Sequence, residues 1–244
     1  MNRTYTHIFS VLVLVILCSV ACKNQDSDNG FPTTEKEFRE GYFKDDPMQR
    51  PGLADGRRIT DFTLTCDAIG PIRLTDDFEK VEQIVGKENI KIDSHFVEGN
   101  FEGLLTTLWP LTNKEARIYW LEKKPPFSKI RSVEINHPMS VWQFSNGLKV
   151  GTSLDQIVNM NGGKPVTFYG FYWDYGGKIS SFNDGRLAAE LPCVSGTLSP
   201  TEEADTDQVR NTVSGDSPIS SDVPGLKEMK VELSTIVLLP GETK

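Results

Sequence analysis

The chain has 244 residues, 38% of them hydrophobic and 25% charged, with a formal net charge of −8. That balance describes a folded, water-soluble body and excludes a low-complexity or fibrous chain. An acidic surface repels a phosphate backbone, so no nucleic-acid partner is expected.

The first 21 residues carry one formal charge, Arg3. An apolar run from Ile8 to Leu17 follows, too short for a membrane-spanning helix of about 20 residues but suited to the apolar region of a signal peptide over 1–21. The run ends in Cys18-Ser19-Val20-Ala21-Cys22, and a polar stretch, Lys23 to Gly30, comes next. A small residue before a cysteine, then a polar segment, resembles a bacterial lipobox. Ser19 stands where most lipoboxes carry Leu, a looser form similar to that of Bacteroidota. The resemblance implies a lipoprotein acylated at Cys22 and anchored in the outer membrane, facing the periplasm or the cell surface. Several acyl chains suffice for stable anchoring. Residues 22–58 are polar, with Pro32, Pro47 and Pro51, and read as an acylated flexible tether. Its root-mean-square reach is roughly 30–35 Å.

Folded structure is expected from Ile59, at the alternating Asp61-Phe62-Thr63-Leu64-Thr65-Cys66. The body then repeats itself at an offset of 76 residues. Ile72, Leu74, Phe78, Val81, Ile84 and Gly86 recur as Leu148, Val150, Leu154, Ile157, Met160 and Gly162. Each copy predicts a short strand, a capping residue (Asp76 or Thr152), a helix (76–86 or 152–162) and a closing glycine. Strand-like segments follow: 90–92, 104–108, 117–121 and 130–135 after the first helix, then 166–173, 178–182, 186–191 and 230–239 after the second. The expectation is an α+β domain of two tandem helix-plus-antiparallel-sheet repeats, 59–146 and 147–244, with the helices on one face of a continuous sheet. Residues 195–224, rich in Ser, Thr, Asp and Pro, read as a mobile acidic loop inserted before the last strand.

Two cysteines remain once Cys18 leaves with the signal peptide and Cys22 is acylated. In an oxidising envelope Cys66 and Cys193 are expected to form a disulfide; two buried free thiols are the alternative.

The run Phe168-Tyr169-Gly170-Phe171-Tyr172-Trp173-Asp174-Tyr175-Gly176-Gly177 is dense in aromatics. On a strand, Tyr169, Phe171, Trp173 and Tyr175 share one face. Core packing is the ordinary reading of such a run. Tyr169, Trp173, Asp174 and Tyr175 are nevertheless the candidate recognition surface, because the paired glycines predict a tight turn that holds them at the end of a sheet.

Beyond the signal peptide the histidines are His95 and His137, with no metal-ligand spacing, so neither metal nor cofactor is expected. There is no nucleophile elbow or phosphate-binding loop either. The expectation is a non-enzymatic binding or structural module with an envelope protein partner. The alternative is a carbohydrate-binding protein or glycan hydrolase using an aromatic-lined cleft and paired carboxylates, which leave no sequence signature.

The segment Val150-Gly151-Thr152-Ser153-Leu154-Asp155-Gln156-Ile157 with Asn161-Gly162-Gly163-Lys164-Pro165 resembles the recurring element of the SmpA/OmlA envelope lipoproteins. The β-lactamase inhibitor protein has a similar two-repeat architecture. The first copy departs from the motif, with Thr75 at the motif glycine and Lys87-Glu88 for Lys-Pro. What the resemblance implies is a fold and an envelope setting, and it brings no catalytic residue.

Overall fold

A computed structural model describes residues 59–202 and 206–241. The chain divides into units 1–31 and 32–244, and the described residues belong to the second. Cys22, the expected signal peptide and the expected tether lie outside the described residues.

The fold is α+β and mostly sheet. Strands β1 (Thr63–Leu64), β2 (Ala68–Ile69) and β3 (Ile72–Arg73) lead into helix α1 (Phe78–Val85). A meander follows: β4 (Ile90–Val97), β5 (Asn100–Leu108), β6 (Ala116–Trp120) and β7 (Ile130–Ile135). Then come β8 (Gln143–Phe144), helix α2 (Leu154–Met160), β9 (Thr167–Tyr169), β10 (Ile179–Ser181) and helix α3 (Arg186–Glu190). The chain continues through β11 (Val194–Pro200), helix α4 (Asp207–Val213), β12 (Pro218–Ser220) and β13 (Val231–Leu238).

The sequence repeat is carried into local geometry. In the first copy the Asp76 N–H donates to the Arg73 carbonyl, and the Arg73 N–H donates back to the Asp76 carboxylate at 2.9 Å. In the second copy Thr152 and Lys149 make the same two bonds, the side-chain one at 3.0 Å. Asp76 and Thr152 therefore close a turn. The helix caps, expected at those two residues, stand one position later. Asp77 accepts from the Lys80 N–H, and Ser153 from the Gln156 N–H within a full capping box. Burial repeats too: Ile72, Leu74, Phe78 and Val81 are buried, as are Leu148, Val150, Leu154 and Ile157.

Beyond the helices the two copies part. The expected continuous sheet is three sheets. The largest runs β11-β13-β7-β6-β5-β4, four strands from the first copy and two from the second. β9 and β10 form a small sheet with β12, while β1, β2, β3 and β8 form a third, in which β1 and β8 run parallel. The expected strand 186–191 is helix α3. Its first turn is capped from outside: the Leu187 N–H donates to Asn161 Oδ1 at 3.1 Å. The expected loop 195–224 holds most of β11, all of α4 and all of β12. Its polar composition reflects shallow elements, since α4 buries only Val213 and β12 buries no residue fully.

The core lies on one face of the six-stranded sheet, where Ile90, Ile92, Leu108, Ile118, Val133, Ile135, Ile236 and Leu238 are all buried. Trp120 and Phe127 stack at 5.3 Å, and Phe78 of α1 meets both edge-on. The disulfide Cys66–Cys193 is present, with its Cα atoms 5.3 Å apart.

Candidate functional site

The aromatic run behaves as a strand only as far as Tyr169. Beyond it, alternation ends and the rings separate by environment. Phe168 and Phe171 are buried and meet each other at 5.5 Å, so Phe171 leaves the set with which strand parity grouped it. Tyr169 and Trp173 are half-buried; Tyr175 is 50% exposed and Tyr172 45%. Tyr169 meets Trp173 edge-to-face at 5.9 Å, and Trp173 meets Tyr175 likewise at 5.3 Å. The structure thus brings three of the four candidate residues into one contiguous ring cluster, with exposed Asp174 between the last two.

Backbone bonds fix the loop on both sides. The Phe171 N–H donates to the Val213 carbonyl at 2.7 Å, and the Gly215 N–H to the Phe171 carbonyl at 3.2 Å. On the other side the Leu198 N–H of β11 donates to the Gly177 carbonyl at 2.8 Å. Inside the loop, Trp173 Nε1 donates to the Gly170 carbonyl at 2.8 Å, and the Gly176 N–H closes a turn on the Trp173 carbonyl at 3.0 Å. The expected pair of turn glycines divides its work. Gly177 has a φ of +77°, whereas Gly176 is not in the left-handed region. A Cβ on Gly177 would collide with the Leu198 carbonyl oxygen. At Gly170 the need is close approach, since a Cβ there would sit 2.7 Å from the Gly215 carbonyl oxygen.

Two features escaped the sequence reading. The first is Tyr172, whose ring lies 4.6 Å from the Arg210 guanidinium of α4. The second is a network on the polar face of the six-stranded sheet. Glu134 accepts from Arg117 at 3.3 Å, from the Tyr119 hydroxyl at 3.4 Å and from Asn136 at 3.1 Å. His95 meets the Tyr119 ring edge-on at 5.0 Å. Burial first, and then the Glu134 charge, push the Tyr119 phenol up to about 12. The alternation Arg117-Ile118-Tyr119 and Ser132-Val133-Glu134 was the available signal for this face.

Among the described residues no group of three or more His, Cys, Asp or Glu is placed to hold a metal, and no helix is long and apolar enough to cross a membrane. A shallow depression of about 230 Å³ lies between the start of α2 and β13, lined in part by Ser153, Asp155, Ser221, Lys227 and Glu232. It is smaller than the usual small-molecule pocket.

Comparison with protein-family models gave no match, and comparison with curated proteins gave none either. Among solved structures the chain is similar to the uncharacterized protein YfeY of Escherichia coli, at 12% identity, over 72% of this chain and 99% of that one, with a TM-score of 0.43.

Proposed function

We propose that the chain is an envelope lipoprotein, anchored in the outer membrane through acylated Cys22, that works without a cofactor as a binding or structural module. The aromatic loop is its contact surface, and the partner is another envelope protein. The observation that carries this reading is the display itself: three adjoining rings at the surface, on a loop held by backbone bonds to β11 and to the C-terminal end of α4. A preordered aromatic cluster supplies contact area with little further loss of side-chain entropy on binding. A glycan ligand is the second reading, favoured by exposed Asp174 between Trp173 and Tyr175.

A pair of measurements on Tyr175→Ala tests the surface. Tyr175 is half exposed, so its truncation should change stability by no more than about 0.5 kcal/mol. As a binding anchor it should weaken capture of the crosslinked envelope partner by about 30-fold, the equivalent of about 2 kcal/mol. Undiminished capture removes the loop from the function, and loss of glycan binding instead selects the second reading. The anchor has its own test: a palmitate analogue should label the wild type and not Cys22→Ala, and equal labelling of both rejects acylation at that residue.

A further inference from the structure

Among the described residues the two most exposed large apolar side chains are Leu111, at 95%, and Met139, at 74%. Leu111 tips the 109–115 loop between β5 and β6, and Met139 the 136–142 loop after β7. Leu108 pairs with Ala116 and Arg117 with Glu134, so both loops emerge from the same end of the six-stranded sheet. They are tied to each other there. The Val141 N–H donates to the Asn113 carbonyl at 3.0 Å, and Trp142 Nε1 donates to the Lys114 carbonyl at 2.9 Å. Each tip is held from within as well. The Leu111 N–H donates to the Glu115 carboxylate at 2.8 Å, and the Met139 N–H to His137 Nδ1 at 3.1 Å. Leu111 has a φ of +62°, a region that ordinarily takes Gly or Asn, so the loop displays an apolar side chain against backbone preference. Isolated surface apolar residues need no explanation, but two on adjoining, internally bonded loops form a feature of that end.

We propose that this end of the body lies on the bilayer that holds the anchor, with Leu111 and Met139 entering its interfacial zone. Two observations select a lipid surface. The first is where the described chain begins. Three residues after Ile59, the Phe62 ring meets Trp142 edge-on at 5.3 Å, and the Phe62 carbonyl accepts from the Gln143 N–H at 3.1 Å. The Lys114 ammonium stands 5.4 Å from the Phe62 ring. The chain coming from Cys22 therefore enters the body beside the two loops. The second is charge. In a chain with 25% charged residues, neither 103–113 nor 135–148 contains an Asp, Glu, Lys or Arg. A body with a net charge of −8 is repelled by anionic headgroups, and uncharged apolar tips are the part of it that can approach them. Two side chains bind a membrane weakly by themselves. Anchoring makes the encounter intramolecular, so a weak contact suffices to orient the body. The inference rests on acylation at Cys22 and does not involve the aromatic loop.

Fluorescence quenching on the acylated full chain, in vesicles of phosphatidylethanolamine and phosphatidylglycerol, tests it. A fluorophore on Asn113→Cys sits two residues from Leu111. A control fluorophore on Val97→Cys sits at the other end of β5, where Val97 pairs with Asn100. Both positions are exposed. A nitroxide on the lipid acyl chains should quench the first about five-fold more strongly than the second. Leu111→Glu combined with Met139→Glu should make the two equal. Because both side chains already stand in solvent, that pair should leave the thermal melt in place. Equal quenching at the two positions of the otherwise unaltered chain overturns the proposal, and so does strong quenching at 113 that survives the double substitution. In both cases retention of the chain by the vesicles leaves the anchor standing. Chain that the vesicles do not retain overturns the anchor, and the proposal with it.

Discussion

Asn161 illustrates how much one side chain can organise. It is fully buried at the end of α2. Its Nδ2 donates to the Lys164 carbonyl at 3.0 Å and to the Phe182 carbonyl at 2.8 Å, while its Oδ1 accepts the Leu187 N–H that opens α3. At the 76-residue offset its counterpart is Val85, an ordinary buried apolar residue. A polar side chain at an apolar position of the repeat was a legible signal, yet the matching by hydrophobicity passed over it. Asn161→Val recreates the residue of the first copy and strands two carbonyls and one amide. It should cost about 3 kcal/mol in denaturant unfolding; a loss below about 1 kcal/mol would mean that water replaces the amide. Tyr119 offers a second test at this scale. Its phenol is raised to about 12, so in the folded protein it keeps its proton after unfolded tyrosine, at its ordinary value of 10.0, has lost it. The stability this confers is complete below the ordinary value and is lost as pH rises toward 12. A phenolate absorbance titration of the wild type should contain a late component that Tyr119→Phe lacks.

At the scale of elements, sequence legibility followed apolar patterning. Strands β4, β6, β7 and β13 were readable because they alternate over a buried face, as Ala116-Arg117-Ile118-Tyr119-Trp120 does, and β5 was readable as a short apolar run, buried at every position from Gly103 to Leu108. α3, α4 and β12 were not, because they bury little; α3 buries only Leu187, and its cap comes from Asn161 on a distant segment. The aromatic run was misread for another reason. Six rings in eight positions imitate a strand, but the Gly170 backbone passes too close to Gly215 for any side chain, and the chain leaves the sheet there. Where that loop rejoins β11, Gly177 is the position to probe. Alanine must adopt a φ of +77° and must displace the Leu198 carbonyl oxygen of β11. The expected cost of Gly177→Ala is about 2–4 kcal/mol. Because the loop is pinned at this residue, the emission of Trp173 should change in the folded variant as well. A melt within about 0.5 kcal/mol of wild type would show that the loop is not held by β11.

Across the whole molecule, the repeat governs the start of each half and the long-range pairing governs the rest. The turn, cap and first helical turn recur because they are set by residues within a few positions of one another. The placement of β13 between β11 and β7 is set by partners such as Ile236 and Ile135, about a hundred residues apart, and no local pattern encodes that. One covalent bond spans the two halves. Cys66 lies between β1 and β2 in the first copy, and Cys193 lies directly before β11 in the second, where its carbonyl accepts the Leu239 N–H just past β13. With a sequence separation of 127, the loop-entropy model assigns the crosslink about 5 kcal/mol of restriction on the unfolded chain. Domains of this size are stable by about 5–15 kcal/mol, so the bond represents a third or more of the total. Replacing both cysteines by alanine avoids a stray thiol and should lower the melting temperature by about 10–20 °C, at about 2–4 °C per kcal/mol. The fold itself should survive in the cold, because Leu198, Leu233, Ile236 and Leu238 remain buried against the sheet without the crosslink. A drop of less than about 3 °C, roughly 1 kcal/mol, would place the stabilisation in the strand pairing of β11 and β13 and leave the disulfide with no measurable share.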